Sequence, residues 1–395
     1  MPPGEFPSMS FGNKVRNAFR VSLPSLIVSL VIGFFGGTFL GKYLDRIRKS
    51  YPGLLVILPG MMGLRGNVFS SMASRFSTML YLGELEPSMK DRKVLENVVI
   101  AILLSLIPVT LLWAIGVIRG IRYHAFEILF IVIGSTILVS LILGYFTAGI
   151  TILAFKRDVD PDSLAAPLVA SMGDLLTIPT LIGFILLLEA SGKAFWTLNG
   201  ASILLLLLLW FLSRVRLAEF LKYKQLFTTI TALAMLSLIS GFTLERFSGL
   251  IASTIILGFA YPSILSSFGN YGSIIAAKTS TKLNLGEIES YFSREPFEEI
   301  LALLLTAPII GVLINLLSAG IAYLLLRAEP RLVFELAVTY PLMALFIMLY
   351  AYSLSYVLFK HNIDPDSVAI PLIANNSDIF GTLYVVAIAK LMVGA

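Results

Sequence analysis

Long apolar segments separated by short polar connections make up almost the whole chain. A transmembrane helix needs roughly 20 consecutive, mainly apolar residues, and these segments approach or exceed that length. A transmembrane barrel would instead alternate apolar and polar residues along short strands. The pattern therefore predicts an all-α polytopic membrane protein with about 11 transmembrane helices. The predicted helices are 22–44, 52–82, 94–118, 126–154, 162–190, 225–245, 249–281, 297–326, 332–358 and 366–394, with one further crossing near 195–214.

Two distant parts of the sequence repeat each other. The stretches DPDSLAAPLVASMGD (160–174) and DPDSVAIPLIANNSD (364–378) are identical at nine of fifteen positions, at an offset of 204 residues. Upstream, the segment that contains Asn67 and Glu84 aligns with the segment that contains Asn270 and Glu287, at an offset of 203. A drift of one residue over so long a span indicates that the same helices follow in the same order in both copies.

Each copy contains five predicted helices, and an odd number would invert the second copy in the membrane. The segment 193–216 belongs to neither copy, and as an additional crossing it restores the orientation of the first. We therefore predict two parallel five-helix repeats, related by a pseudo-twofold axis along the membrane normal. The predicted domains are a cytosolic N-terminal segment (1–21), a first repeat (22–192), a linker transmembrane helix (193–216) and a second repeat (217–395). A weak excess of loop lysine and arginine favours a cytosolic N-terminus and an outside C-terminus.

The composition agrees with a membrane protein and narrows its chemistry. Hydrophobic residues make up 57% of the 395 residues and charged residues 13%, which is more apolar than soluble domains. The sequence has no cysteine, which excludes disulfides and thiolate metal sites, and only His124 and His361 could supply an imidazole. The net charge of +5 is spread over many loops and gives no case for nucleic acid. The first twenty residues do not resemble a signal peptide, so we expect the first spanning helix to direct insertion.

The most informative residues of the duplication are the aspartates that end the matched stretches, Asp174 and Asp378. Each lies about 21 Å along a predicted helix, inside the hydrocarbon region, where a carboxylate costs at least about 2.5 kcal/mol. The same helix faces carry further oxygen sources, Ser171 with Pro167 and Asn375 with Pro371. Such a stripe suits a hard cation. The structural alternative is an aspartate that hydrogen-bonds to a neighbouring helix, and its recurrence in both copies disfavours that alternative.

Other matched acids have a structural interpretation beside a functional one. DPDS begins a helix in the usual way, with Asp160 or Asp364 as the N-cap and proline at the first helical position. We favour that interpretation over an acidic mouth that attracts cations. Glu84 and Glu287, at the end of the second helix of each repeat, are as compatible with a solvated helix end as with an ion-attracting role.

The second helix of each repeat carries a polar face. Asn67 and Asn270 each follow a glycine, Gly66 or Gly269, that permits close backbone approach or a local break. The face continues at helical spacing through Ser70, Ser71, Ser74 and Thr78 in the first repeat, and through Ser273 and Thr281 in the second. Hydroxyl side chains at this spacing line a path, support close helix packing or bond back to their own backbone.

Basic residues in these helices differ between the copies. Arg75 and Lys278 are equivalent at the offset of 203. Because a cation inside the membrane usually pairs with a carboxylate, we expect a structural ion pair at each. Arg65 has Phe268 as its counterpart, so the two repeats are not chemically identical.

These motifs resemble a known family. GLRGNVFSSMASRFST (63–78) with GELE (83–86), together with the proline-containing DPDS helix, is similar to the MgtE family of magnesium transporters, and more closely to solute carrier family 41, whose chains carry two such units in tandem. The resemblance covers nearly the whole chain from about residue 22 and implies Mg²⁺ transport through a path between the repeats. One chain would then act as a monomer in place of the two subunits of an MgtE dimer. The cytosolic N-terminal and CBS domains of MgtE have no counterpart in this sequence, so the closure that they exert is not expected here.

The resemblance also implies roles for particular residues. Mg²⁺ is usually bound through a few carboxylates while it retains waters, so we expect a partly hydrated ion between Asp174 and Asp378. The other implied positions are the Gly-Asn pairs Gly66-Asn67 and Gly269-Asn270, and the acidic helix ends Glu84 and Glu287.

Two alternatives remain from the sequence. The first is a Na⁺- or H⁺-coupled Mg²⁺ exchanger with the same architecture. The second is an intramembrane aspartyl protease, since two membrane aspartates can share a proton and activate water. Asp174 follows glycine as in such enzymes, but the second site reads NSD, and we expect a transporter rather than an enzyme. The expected partners are Mg²⁺, other hard divalent cations and membrane lipid, with no nucleic acid.

Overall fold

The computed structural model describes residues 10–119, 122–157, 161–215, 223–288, 290–327, 332–363 and 365–394. Within these ranges the chain forms helices and short connections, and no strand occurs there. The predicted all-α fold class is therefore confirmed.

The helices of the described residues are labelled in chain order. They are α1 (Phe11–Asn17), which continues through a π-helical turn (Ala18–Ser22) into α2 (Leu23–Ser50), then α3 (Pro52–Tyr81), α4 (Arg92–Ile118), α5 (Ala125–Lys156), α6 (Pro161–Ala190), α7 (Gly192–Ser213), α8 (Lys224–Leu236), α9 (Leu238–Ser253), α10 (Ile255–Asn284), α11 (Arg294–Leu304), α12 (Ala307–Leu326), α13 (Phe334–Lys360) and α14 (Pro365–Val393).

Ten helical segments in the described part of the chain are long and apolar enough to cross a membrane. In this set α1 with α2, α8 with α9, and α11 with α12 each form one segment. The remaining long helix, α10, has 30 residues and is the repeat counterpart of α3. Serine, threonine and lysine occupy much of its second half, which lowers its hydropathy. The chain is a multi-pass membrane protein, and the helical segments follow the order that the sequence predicts.

Three of the predicted helices are divided in the structure, and one of them, 249–281, is divided at Thr254, between the end of α9 and the start of α10. The predicted helix at 225–245 is broken at Ser237, whose Oγ donates to the carbonyl of Ala234 at 2.7 Å, and helix α9 then continues to Ser253. The predicted helix at 297–326 is broken at Leu305 and Thr306, where the Thr306 Oγ1 donates to the carbonyl of Leu303 at 2.7 Å. Hydroxyl side chains that bond back to carbonyls three or four residues earlier compete with the helical ladder and bend helices.

The chain divides into two compact units, Met1–Phe34 with Thr254–Ala395 and Phe35–Ser253. We call them the C-terminal unit and the central unit. In the central unit, α3 packs against α4, α5, α6, α8 and α9. In the C-terminal unit, α10 packs against α12, α13 and α14. The second helix of each repeat thus packs against several other helices of its unit. The domain boundaries taken from the repeats remain a sequence prediction, because the compact units group the helices differently.

The compact units differ from the predicted repeats in where the first helix of each repeat packs. Gly33 of α2 lies on α10 in the C-terminal unit, and a Cβ at Gly33 would be 3.1 Å from the Cα of Ser263. Gly241 of α9 lies on α3 in the central unit, and a Cβ there would be 1.9 Å from the carbonyl oxygen of Val56. Both first helices therefore use a glycine for close backbone approach to a second helix of the other sequence copy.

Candidate functional site

The second and fifth helices of each repeat pack closely on each other. In the central unit, a Cβ at Gly173 of α6 would be 3.6 Å from the Cβ of Arg65 on α3, and a Cβ at Gly66 would be 4.0 Å from that of Ala170. In the C-terminal unit, a Cβ at Gly272 of α10 would meet Ile373 of α14 at 2.4 Å. Glycines at these contacts let each aspartate-bearing helix approach its partner closely.

Asp174 lies thirteen residues after Pro161, the first residue of α6, about 20 Å along the helix. The residue is half-buried. The α6 backbone around it is held by a hydrogen bond from Thr177 Oγ1 to the Gly173 carbonyl at 2.5 Å, and a Cβ at Gly36 of α2 would be 3.5 Å from the Asp174 carbonyl oxygen. Asp174 is therefore held at mid-helix depth, next to the α3 contact that includes Arg65.

Asp378 has the same place on α14, thirteen residues after Pro365, and is also half-buried. Thr382 Oγ1 donates to the Asp378 carbonyl at 2.6 Å and lies 2.9 Å from the hydroxyl of Tyr261 on α10. One turn before the acid, Asn375 is 4% exposed, and its Nδ2 has no hydrogen-bond partner among the described residues. Ser171, the counterpart before Asp174, is half-buried.

The two asparagines of the second helices differ in their contacts. Asn67 and Asn270 are both half-buried. Asn270 Nδ2 donates to Ser29 Oγ of α2 at 2.6 Å, and Ser29 in turn lies 3.2 Å from Ser266 Oγ. Because the amide nitrogen is used by Ser29, the Asn270 Oδ1 is oriented as the remaining acceptor. Sequence reasoning missed Ser29, since nothing in its own helix indicates a contact with a residue 241 positions away.

The glycine before each helix-end glutamate has a structural role. Gly83 and Gly286 have positive φ angles of 70° and 75°. The next amides close the helix, with Glu84 N donating to the Met79 carbonyl at 2.8 Å and Glu287 N to the Lys282 carbonyl at 2.9 Å. This is the Schellman arrangement of a helix C-terminus. The side chain of Glu84 is exposed and that of Glu287 is half-exposed, at the surface end of each helix.

The remaining predicted entrance residues, Asp160 and Asp364, lie outside the described residues. The helices after them begin at Pro161 and Pro365, where the sequence places the first helical position. On the polar face of the second helices, Thr78 and Thr281 donate to the carbonyls of Ser74 and Ala277 at 3.2 and 3.1 Å. These two hydroxyls therefore bond back to their own helix.

The expected ion pair is present at Lys278, whereas Arg75 has none within the described residues. Lys278 Nζ lies 2.6 Å from Glu299 Oε2 on α11. The Arg75 guanidinium instead lies over the ring of Tyr223, 4.6 Å from its centroid, and its three nitrogens have no hydrogen-bond partner in the described part of the chain. Tyr223 precedes α8 and has no role in either repeat motif, so the sequence pattern could not indicate this contact.

The described residues contain no cluster of three or more histidine or acidic side chains ready to hold a metal ion. What each unit offers is one mid-helix carboxylate together with amide and hydroxyl oxygens from two packed helices. Carboxylate and carbonyl-type oxygens suit hard cations such as Mg²⁺ and Ca²⁺, and no thiolate is present for softer metals.

Comparison with known proteins places the two repeats in one family. A family model described as MgtE, divalent cation transporter, matches residues 58–184 and 261–388, which together make up more than half of the chain. The two matched ranges run from within the second helix of each repeat into its fifth helix.

The individual relatives share only a quarter to just over a quarter of the aligned residues with this chain. Over 190 residues the chain is 28% identical to mouse solute carrier family 41 member 3, covering 46% of this chain and 37% of the relative. Over 179 residues it is 26% identical to Xenopus laevis solute carrier family 41 member 2, covering 42% of this chain and 32% of the relative. The match to human solute carrier family 41 member 2 is 25% identical over 172 residues, covering 40% of this chain and 30% of the relative. These matches span only about a third of the length of the relatives. No solved structure matches the chain significantly.

Since the family model covers both repeats, from their second to their fifth helices, the chain belongs to the MgtE family of divalent cation transporters.

Proposed function

We propose that this protein transports Mg²⁺ across the membrane and that Asp174 and Asp378 are the protein ligands of a partly hydrated ion. The single observation that carries the proposal is the recurrence of one acid at the same place in two copies of one helix. Both residues lie thirteen positions into α6 or α14, where a carboxylate is costly and needs a function. The membership of the chain in a divalent cation transporter family supports the same conclusion.

The choice of Mg²⁺ rests on the ligand chemistry and on the resemblance to magnesium transporters. Mg²⁺ gives up its waters reluctantly and is commonly held by one or two carboxylates while it keeps the rest of its hydration shell. One aspartate from each repeat, assisted by Asn67, Asn270, Ser171 and Asn375, would supply such a set. The amide of Asn270 supports this role, because its nitrogen is held by Ser29 and its oxygen is left to accept.

The path is proposed to follow the second and fifth helices of both repeats. Gly66 and Gly269 would admit the ion or its waters close to the backbone, and a Cβ at Gly269 would meet nothing within 4 Å. Glu84 and Glu287 would raise the local cation concentration at the cytosolic ends of the second helices, and Asp160 and Asp364, two membrane crossings later and therefore on the same side, would add to it. The single chain would work as a monomer with its N-terminus in the cytosol.

Flux through reconstituted liposomes tests the proposal directly. The full chain is inserted into vesicles that contain a Mg²⁺-sensitive dye, and uptake is compared for the wild type, Asp174→Asn and Asp378→Asn. We expect each variant to lose at least about tenfold in flux, because the amide keeps the shape and removes the charge that binds the ion. The control is Asp45→Asn, whose carboxylate is exposed at the end of α2 and pairs with Arg48 and Lys49. Wild-type flux in both site variants would refute the proposal.

The same vesicles separate a channel from a coupled exchanger. A Mg²⁺ gradient alone, with the voltage clamped, should drive flux through a channel. Flux that appears only when a Na⁺ or H⁺ gradient is imposed would identify a coupled exchanger. The experiment with an imposed Na⁺ or H⁺ gradient is included because the repeats differ at one position, with Arg65 in the first and Phe268 in the second. Unequal halves are compatible with alternating access.

A further inference from the structure

Arg65 lies at the contact between α3 and α6 and carries a charge that the proposed ion path does not use. Its side chain is 1% exposed, and neither Nη1 nor Nη2 has a hydrogen-bond partner among the described residues. A buried guanidinium with two unpartnered nitrogens is costly, so its presence at this place needs a reason.

The place itself points to Asp174. The Cβ of Arg65 lies 3.6 Å from the position of a Cβ at Gly173, the residue next to the acid. Asp174 follows Gly173 directly, so the Arg65 guanidinium and the mid-helix carboxylate belong to adjoining stretches of two packed helices.

The second repeat has an aromatic residue, Phe268, at the position of Arg65. Phe268 stacks on Tyr340, with ring centroids 5.0 Å apart, and meets Tyr384 edge-on at 5.5 Å. Counting back 204 positions, the counterparts of these tyrosines are Thr136 and Thr180, which are much smaller. Thr136 is buried, and its Oγ1 has no partner in the described part of the chain. The first repeat thus replaces three aromatic rings by one long cation and two short hydroxyl residues.

We infer that Arg65 is a built-in counter-charge for Asp174, which balances the carboxylate when no cation is bound and lowers the affinity of the first repeat for Mg²⁺. The inference rests on the proposed role of Asp174 as an ion ligand. A fixed cation beside one ligand competes with the arriving ion, so that binding is weaker and release is easier. Arg65 is therefore a positioning residue that sets affinity in one half of the path, without itself binding Mg²⁺.

The test is a double-mutant cycle on Mg²⁺ affinity. Isothermal titration of the purified full chain in detergent at pH 8 compares the wild type, Arg65→Gln, Asp174→Asn and the double variant. We expect Arg65→Gln to bind Mg²⁺ on the order of tenfold more tightly, and expect this gain to disappear when Asp174 is asparagine. Arg65→Lys, which keeps the charge, should bind like the wild type.

The control is Arg75→Gln, which removes another buried guanidinium from the same helix, ten residues further along. A merely structural role of Arg65 would give similar changes for Arg65→Gln and Arg75→Gln, and would overturn the inference. A gain that persists in the Asp174→Asn background, or no gain at all, would also overturn it. Unchanged Mg²⁺ affinity in Asp174→Asn alone would instead refute the proposed function, so the two failures are distinguishable.

Thermal unfolding without Mg²⁺ is a second test of the inference, for use if Arg65→Gln alone does not fold. Asp174→Asn leaves the guanidinium unbalanced, and we expect its melting temperature to fall below that of the wild type. The double variant Arg65→Gln, Asp174→Asn removes the unbalanced charge and should melt at a higher temperature than Asp174→Asn. A double variant that is no more stable than the single one would contradict the inference.

Discussion

The second helices of the two repeats bury opposite kinds of residue at the same position. Arg65 of α3 is a buried cation, whereas Phe268 of α10 is part of an aromatic stack with Tyr340. One turn later the aromatic residue is in the first repeat instead. Phe69 stands where the second repeat has Gly272, which lies against Ile373. The duplicated backbone therefore accommodates two different interiors around the same two aspartate positions.

The charges near the ends of these helices differ in the same way. In the C-terminal unit, Glu299 joins two lysines, with Lys278 Nζ at 2.6 Å and Lys282 Nζ at 3.3 Å. Its counterpart Glu96, at the offset of 203, pairs only with Arg92 of its own helix at 3.1 Å among the ion pairs of the described residues. In the C-terminal unit, ion pairs connect the second helix to α11. In the central unit, an aromatic ring covers Arg75 of the second helix. Four sets of variants test this contrast, from the largest expected effect to the smallest.

The first variant concerns the glycines of the two first helices. Gly241→Ala would place a methyl group 1.9 Å from the Val56 carbonyl oxygen, and two backbones would have to separate. We expect a loss of about 3 kcal/mol or more in stability, measured as thermal unfolding in detergent. Gly33→Ala would meet Ser263 at 3.1 Å and should cost less, about 1 to 2 kcal/mol.

Gly200→Ala is the control for this pair, because a Cβ at Gly200 of α7 would meet nothing within 4 Å. Alanine is the better helix former, so this variant should be neutral or slightly more stable. Equal effects at Gly241 and Gly200 would contradict the close approach of α9 to α3.

The second variant removes the charge of Glu299. Glu299→Gln leaves Lys278 and Lys282 with less compensation, and we expect a loss of about 2 kcal/mol. This is below the cost of breaking a fully buried pair, because both lysine side chains are partly exposed. Glu96→Gln breaks a surface pair within one turn of α4 and should cost less than about 0.5 kcal/mol. Similar losses at the two positions would mean that the charge network does not distinguish the repeats.

The third variant addresses the ring over Arg75. Tyr223→Leu removes a cation–π contact with a guanidinium that has no other partner among the described residues, and we expect a loss of about 1 kcal/mol. Tyr223→Phe keeps the ring and should be close to the wild type in thermal unfolding. If phenylalanine is as damaging as leucine, then the hydroxyl of Tyr223 stabilises this contact and the ring does not.

The helices, their order and their duplication could be predicted from the sequence because lipid imposes long apolar segments and the copies remain aligned. The partners of individual side chains could not be predicted. Equivalent cations at Arg75 and Lys278 meet Tyr223 and Glu299, and neither partner follows from the repeat. The contact of Asn270 with Ser29 depends on how α2 packs on α10, and α2 lies far away in the sequence. Helix periodicity thus fixes which face is polar, while tertiary packing decides what each polar residue touches.

The fourth variant examines a feature that the repeats share. Gly83→Ala and Gly286→Ala each force a non-glycine residue into a positive φ, and we expect each to lose about 1 kcal/mol. Glu84→Gln and Glu287→Gln leave the backbone hydrogen bonds of the cap in place and should change stability by less than about 0.5 kcal/mol. Unequal losses at the two glycines would extend the difference between the repeats to their helix ends. Equal losses, with Mg²⁺ flux reduced in the two glutamine variants at unchanged stability, would separate the structural role of the glycines from an ion-attracting role of the glutamates.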